Sequence, residues 1–444
     1  MTHYPARVSI GCLAIVCMAL FGIASADLQT IIDLPANTWY AVPNTRLDAS
    51  PEAAPNYLSS SDFEKIRRGW FGAIMDGWSG GAYDTKRDRL VIWGGGDNDY
   101  WGNEIYAFDV ASLAWHRQTD PSLEVGNCQQ VNPDGTPNGR HTYGGLAYIN
   151  HADRFFAAGG AWNCTNRGCG IRYTWTFDFV SKQWNNQNPS GTLPAPYCGY
   201  SSAYDPVGKK VYLGVPNSDG GFYSYDYDAN RWTKLTNDDL YEYTMAVDTR
   251  RGLLVAVGQG SVYVYNIRAN PVTHESWSSP FSGKVGMDYD PVADRMVAWS
   301  GGAVYALNLD TKTWTTHNAS GAPTPNSNGT YGRWRYSPIV NAFISVNAVG
   351  QNVYFYKFTA GGGTDVQRNT LPAPSGRNFN LLVSPNPISR TAFMSLKAAA
   401  GPALRIHDLR GRPVADASRL SVGVYLVESV SGKHRTTQKI AVIQ

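Results

Sequence analysis

The residues best equipped for chemistry in this 444-residue chain come in short polar and aromatic clusters, each just ahead of an apolar segment. Arg140, His141 and Tyr143 stand in "RHTYGGLAYI", and Asp76 and Trp78 in "MDGWSGGAYD". Tyr197 lies in "PYCGYSSAYD", and Tyr241, Glu242 and Tyr243 in "YEYTMAVD". Lys284 opens "KVGMDYD", and Tyr331, Arg333 and Trp334 fall in "YGRWRYS". Two loops between such segments add Asp97, Asp99, Tyr100 and Trp101, in "DNDYWGNE", and Trp162 and Arg167, in "AWNCTNRGCGIR". Tyr and Trp faces stack on the C–H surfaces of sugars while their polar tips hydrogen-bond. Interleaved Arg and Lys suit an acidic polysaccharide. A neutral His or an ionised Tyr could also remove the proton beside a uronate carboxylate. An Arg or Lys would then neutralise that carboxylate and stabilise the developing enolate. The residues assign His141 as base, Tyr197 or Tyr243 as acid and Arg140 or Arg333 as neutraliser. Two readings follow: a carbohydrate-binding surface, or a polysaccharide lyase working by β-elimination. A hydrolase would want two facing carboxylates, and Asp76 and Glu242 are the candidates.

The segments behind these clusters repeat. "GGAYDTKRDRLVIWGGG", "GGLAYINHADRFFAAGG", "SSAYDPVGKKVYLGV", "TMAVDTRRGLLVAVGQG", "VGMDYDPVADRMVAWSGG" and "GRWRYSPIVNAFISVNA" each read as strand, tight polar turn and second strand. An alternating aromatic strand follows each, as in "EIYAFDV" and "TWTFDFV". A Trp then recurs at 115, 184, 232, 277 and 314, with a longer turn before Trp277. Four short strands at a period of ~40–50 residues describe propeller blades. Six sets of three strands meet only five such Trp, and the sixth, Trp39, lies in the N-terminal "NTWYAVPNT". The expected fold is therefore all-β, a six-bladed β-propeller over residues 27–359 closed by an N-terminal strand. Closure of this kind removes free sheet edges. The stretch "NYLSSSDFEKIRRGWFGAIMD" reads as a long loop.

The Gly pair after the second strand, the aromatic third strand and the Trp of the fourth resemble the kelch type of propeller, related to that of galactose oxidase. Blades 3 and 6 depart from it, with Gly214-Val215 and Asn347-Ala348 at the Gly pair. The resemblance implies that the first strand of each blade lines a central channel. It also implies that the clusters above ring one mouth of that channel. The copper chemistry of galactose oxidase is not expected, since no His here follows a Tyr. The Asp-box of sialidases is also absent. Some secreted polysaccharide lyases are similar in pairing a propeller with a His/Tyr/Arg site. Kelch-type propellers often bind protein or glycan without chemistry, so a protein-binding module is a further reading.

Both ends of the chain carry other signals. Arg7, the apolar run "VSIGCLAIVCMALFGI" and "ASA" at Ala24–Ala26 describe a secretory signal peptide over residues 1–26. No transmembrane segment is expected beyond it. The remaining cysteines, Cys128, Cys164, Cys169 and Cys198, read as two disulfides in an exported protein, with three pairings open. A linker over 360–379 leads to a small C-terminal β-sandwich over 380–444. Its "SPNP", "IHDLRGRPV", "LSVGVYLV" and "KIAV" resemble the C-terminal sorting domain of type IX secretion substrates. That resemblance implies an export address, the type IX machinery as a partner and a secreted or outer-surface location. A net charge of +3 gives no reason to expect nucleic acid. The chain reads as a monomer with no cofactor, calcium in the oxygen-rich "DNDYWGN" loop being unsupported by any EF-hand spacing.

Overall fold

The computed structural model describes residues 28–165, 168–170, 173–216, 220–282 and 284–361. Beyond these it gives the strand backbones Ile388–Ser389, Leu404–His407, Gly423–Ser431 and His434–Ile443. The signal-peptide segment, Arg167 and most of the linker lie outside the described residues. The chain divides into two compact units after Gly363.

The first unit is a six-bladed propeller, each blade an antiparallel four-stranded meander. The innermost strands, in blade order, are Gly80–Asp84, Leu146–Ile149, Ser201–Asp205, Thr244–Asp248, Gly286–Asp290 and Trp334–Ser337. Each lies beside the next, and the sixth returns to the first. Their burial, against the more exposed outer strands, fits the small and apolar residues that most of them carry, while blade 6 places Trp334 and Arg335 there. Blade 3 gains a short parallel edge, Ser190–Gly191 against Arg231–Trp232.

Blade 6 takes its outermost strand, Thr38–Ala41, from the N-terminus, where Trp39 lies opposite Tyr356. The same register pairs Trp115 with Phe108, Trp184 with Phe177, Trp232 with Tyr225 and Trp314 with Leu307. Blade 4 is the exception. His274 holds that register opposite Tyr265, and Trp277 sits three residues further along, opposite Val262. The "NYLSSSDFEKIRRGWFGAIMD" stretch is not a plain loop. It holds three short helices, Ala54–Tyr57, Ser60–Ile66 and Ala73–Asp76. Ala54, Ile66, Ile74 and Met75 are buried in one cluster with Leu90, Tyr106 and Val340, so this segment roofs the joint between blades 1 and 6.

No helix among the described residues is long and apolar enough to cross a membrane. In the second unit the described backbone forms one four-stranded sheet. Gly423–Ser431 and His434–Ile443 make a hairpin, Leu404–His407 flanks one side antiparallel and Ile388–Ser389 the other in parallel. A sandwich partner for that sheet would fall outside the described residues.

Candidate functional site

One backbone feature organises the channel mouth. Two or three residues before each innermost strand, the chain passes through a left-handed conformation. The residues are Trp78 (φ 48°), Tyr143 (φ 49°), Gly199 (φ 78°), Glu242 (φ 55°), Lys284 (φ 61°) and Tyr331 (φ 45°). Adjacent lead-ins are stitched together across blades. The Tyr143 N–H donates to the Trp78 carbonyl at 2.6 Å, and Glu242 N–H to the Gly199 carbonyl at 3.0 Å. Thr330 N–H donates to the Lys284 carbonyl at 2.9 Å. For a bulky L-residue the left-handed region costs of order 1–2 kcal/mol. Five of these six positions accept that cost.

Their side chains meet. Tyr143, Tyr331, Ala161 and Cys198 form a buried cluster with Trp78 packed against it. The Tyr143 and Tyr331 rings are edge to face at 5.9 Å. Trp78 lies over the His141 ring at 5.2 Å, and the Lys284 ammonium sits 5.7 Å from the Trp78 ring centre. Burial holds the Glu242 carboxyl above the usual carboxylate range, opposed by the Lys284 charge and the Tyr241 and Tyr331 hydroxyls. Burial also raises the Tyr331 hydroxyl well above its ordinary value, with Glu242 adding to the effect. That hydroxyl is inaccessible and completes no hydrogen bond of ordinary geometry, although it lies within electrostatic reach of Glu242. Asp76 sits at the margin. Its carboxylate accepts from Asn326 Nδ2 at 2.5 Å, and burial raises its pKa.

His141 is fixed by a carboxylate. Its Nε2 lies 2.8 Å from Asp99 Oδ2, in the connecting loop of blade 1, and the imidazole is almost wholly enclosed. A small three-stranded rim sheet carries it, in which Arg140–His141 pairs with Ala161–Trp162 and that in turn with Gly168–Cys169. Two disulfides tie this rim. Cys128 bonds Cys164 within the blade 2 loops, and Cys169 bonds Cys198, whose neighbour Gly199 is the glycine of the left-handed ring.

Several expected site residues do not face a ligand. Arg333 is fully buried, and its guanidinium donates to the carbonyls of Ser79 at 2.8 Å, Val346 at 2.7 Å, Asn347 at 2.8 Å and Gly329. Arg140 is likewise enclosed, donating to the Asn138 carbonyl and side chain and to the Gly159 carbonyl, with Trp93 beneath it. Burial lowers Arg140 to about 9 and Arg333 to about 10, so both remain charged at neutral pH. They act as backbone clamps, which corrects their assignment as neutralisers. Trp334 is also misassigned to the mouth. It begins the innermost strand of blade 6, stacks on Phe343 at 5.0 Å and Trp299 at 6.0 Å, and donates to the Val297 carbonyl at 3.1 Å. Trp101 is fully buried, with its indole N–H on the Asp97 carbonyl at 2.7 Å and Arg68 over its ring. Tyr243 is buried against Tyr263 within blade 4, so it is not placed to donate a proton at the mouth.

Tyr197 and Trp162 are half-buried on the rim, and Tyr241 is exposed there. The structure thus brings together Trp78, His141, Tyr143, Glu242, Lys284 and Tyr331. Asp99, of the "DNDYWGNE" loop, is the partner of His141, a pairing that no local spacing announces. Among the described residues, no group of three or more His, Cys, Asp or Glu could hold a metal ion.

No protein-family model matches the chain, and no curated protein matches it. A solved structure described as a nidogen/laminin complex is similar at 14% sequence identity and a TM-score of 0.38, covering 54% of this chain and 79% of that one.

Proposed function

We propose that this propeller binds carbohydrate at its channel mouth, as a secreted or outer-surface protein. The observation that carries the reading is the left-handed ring, where Trp78, Tyr143, Glu242, Lys284 and Tyr331 occupy positions that backbone preference would give to Gly, Asn or Asp. Strain kept at several converging side chains is the mark of a preorganised site. The chemistry suits a sugar ring. Trp78 offers an aromatic face, Glu242 accepts from hydroxyls and Lys284 donates to them. Among the described mouth residues Lys284 is the cation left to meet a uronate, so an acidic polysaccharide is recognised through it. We read the blades as kelch type and the tail as a type IX sorting domain on the motifs quoted above. Glycan-array binding of the purified protein, beside Trp78→Ala, tests the reading. Selective retention that the variant loses supports it, and a flat array overturns it in favour of a protein ligand.

The His141–Asp99 pair favours a second reading, the lyase. In the tautomer in which Nε2 donates to Asp99, Nδ1 is the nitrogen left with a lone pair to take the proton. Tyr143, edge-on to His141 at 6.4 Å, replaces Tyr243 as the acid, and Lys284 replaces the arginines as neutraliser. Ultraviolet absorbance of unsaturated uronate products, measured with wild type and His141→Ala, decides it. A rise that the variant abolishes establishes elimination, and a flat trace on uronate polymers removes it.

A further inference from the structure

Two aromatic side chains stand apart from the rest. Among the described residues only Trp70, 54% exposed, and Tyr241, 45% exposed, are large aromatics open to solvent. Of the other exposed large apolar residues, Val180, Val207 and Val292 lie in strand-connecting turns, and Leu193, which is aliphatic, lies in the lead-in to blade 3. Both aromatics belong to lead-ins. Tyr241 immediately precedes the ring residue Glu242 of blade 4. Trp70 precedes the Ala73–Asp76 helix that leads to Trp78 of blade 1, and the adjacent Gly69 N–H donates to the carbonyl of Asp99, the residue holding His141. Blades 1 and 4 are three steps apart in a ring of six, so the two lead-ins lie on opposite sides of the ring.

Between them lie Trp78, Glu242 and Lys284. Next to Tyr241 the ring is at its lowest, because blade 3 contributes Gly199. A Cβ there would come within 2.7 Å of the Tyr241 ring, so the glycine keeps room for that ring at the edge of the mouth. Flat aromatic faces open to solvent suit stacking on successive sugar rings.

We infer that the ligand is a linear oligosaccharide or polysaccharide laid across the mouth, with Trp70 and Tyr241 as its two outer stacking subsites. A chain spanning both platforms has at least three units, one on each aromatic and one over the Trp78–Glu242–Lys284 centre. The inference rests on the glycan reading above and adds the ligand's form.

The test is calorimetric titration of the full protein with length series of linear β-glucan, xylan, chitin and galacturonan oligosaccharides, from disaccharides upward. Wild-type affinity should rise with length and then level off. Trp70→Ala and Tyr241→Ala should each weaken the longest ligand about three- to tenfold and flatten the length dependence, the size expected of one aromatic contact. Val292→Ala should match wild type. Affinity independent of length, or platform variants that match wild type on long ligands, would overturn the extended site and leave mouth binding standing. Failure of every series to bind would overturn both.

Discussion

The two faces of the ring use the same backbone device for different ends. On the face formed by the first hairpin turns, left-handed residues also recur once per blade: Asp88, Asp153, Lys209, Gly252, Asp294 and Asn341. All six are Asp, Asn, Gly or a surface Lys, types that suit the turn, and Asp153 and Asp294 add ion pairs to it. At the mouth the equivalent positions are Trp78, Tyr143, Gly199, Glu242, Lys284 and Tyr331. The first hairpin turns mostly carry residues that tolerate the conformation. The mouth selects side chains despite it.

The stabilising chemistry differs as well. On the turn face, buried carboxylates end the innermost strands and cap the turns. Asp205 accepts from the Val207 and Gly208 N–H groups, and Asp248 from those of Arg250 and Arg251. Arginines then bridge to the next blade. Arg87 joins Asp84 to Asp153, and Arg251 joins Asp248 to Asp294 and Asp310. The mouth has no such repeated ladder and is held by disulfides and buried arginine clamps. One face is built for regularity, the other for a particular set of side chains.

Changes confined to one face should break this division in opposite senses. The largest effect is expected from Cys169→Ser with Cys198→Ser. Opening a loop with a sequence separation of 29 should cost about 3–4 kcal/mol in chemical denaturation. It should also abolish glycan binding, because Cys198 packs against Tyr143 and Tyr331. Arg251→Ala should cost about 2 kcal/mol, since it strands the buried Asp248, yet leave binding unchanged. Loss of binding with the latter would mean that the faces are coupled.

Acid should act on the turn face next. Hydrogen bonds and charge from Arg251 hold Asp294 well below the usual carboxylate range, and Arg87 and Lys86 do the same for Asp153 against the penalty of burial. A depressed carboxylate gives stability that is present above its unfolded pKa of about 3.9 and lost as pH falls through the folded value. Melting temperature should therefore hold down to about pH 4 and then decline, and Asp294→Asn should blunt that decline. Glu242 moves the other way. Its raised pKa means that it protonates at a higher pH than an ordinary glutamate, so binding should change first in weak acid, and Glu242→Gln should remove that change. The smallest and sharpest contrast is a pair of glycine substitutions. Lys284→Gly and Lys209→Gly each relieve a left-handed residue, so both should leave stability within about 1 kcal/mol of wild type. Only Lys284→Gly should weaken binding.

Much of the turn face could be read from the sequence. "YDPVGKKV", "VDTRRGLL" and "YDPVADRM" spell strand end, cap and turn directly, and the orphan Trp39 announced the closing strand. These are local rules repeated in register. The mouth was legible as a set of lead-in segments but not residue by residue. In blade 6 the left-handed Tyr331 lies three residues ahead of the strand rather than two, so Trp334 is already within the strand and turns into the core. Arg140 and Arg333 have the residue type of a ligand clamp, yet the carbonyls they serve become visible only when loops distant in sequence meet. The same holds for Asp99 and His141, 42 residues apart. Trp70 carries no signal in the sequence, because its segment has no alternating strand pattern.

The strand Thr38–Ala41 also sets an order of events. Its partner, Tyr354–Lys357, lies more than three hundred residues later, and joining the two closes nearly the whole ring. Loop closure over that length costs about 5 kcal/mol of chain entropy, recovered only once the intervening blades have formed. The propeller strand that comes first in the sequence is therefore expected to dock last. Until it docks, blade 6 presents an open edge, and any agent that holds the N-terminal strand aside holds the ring open.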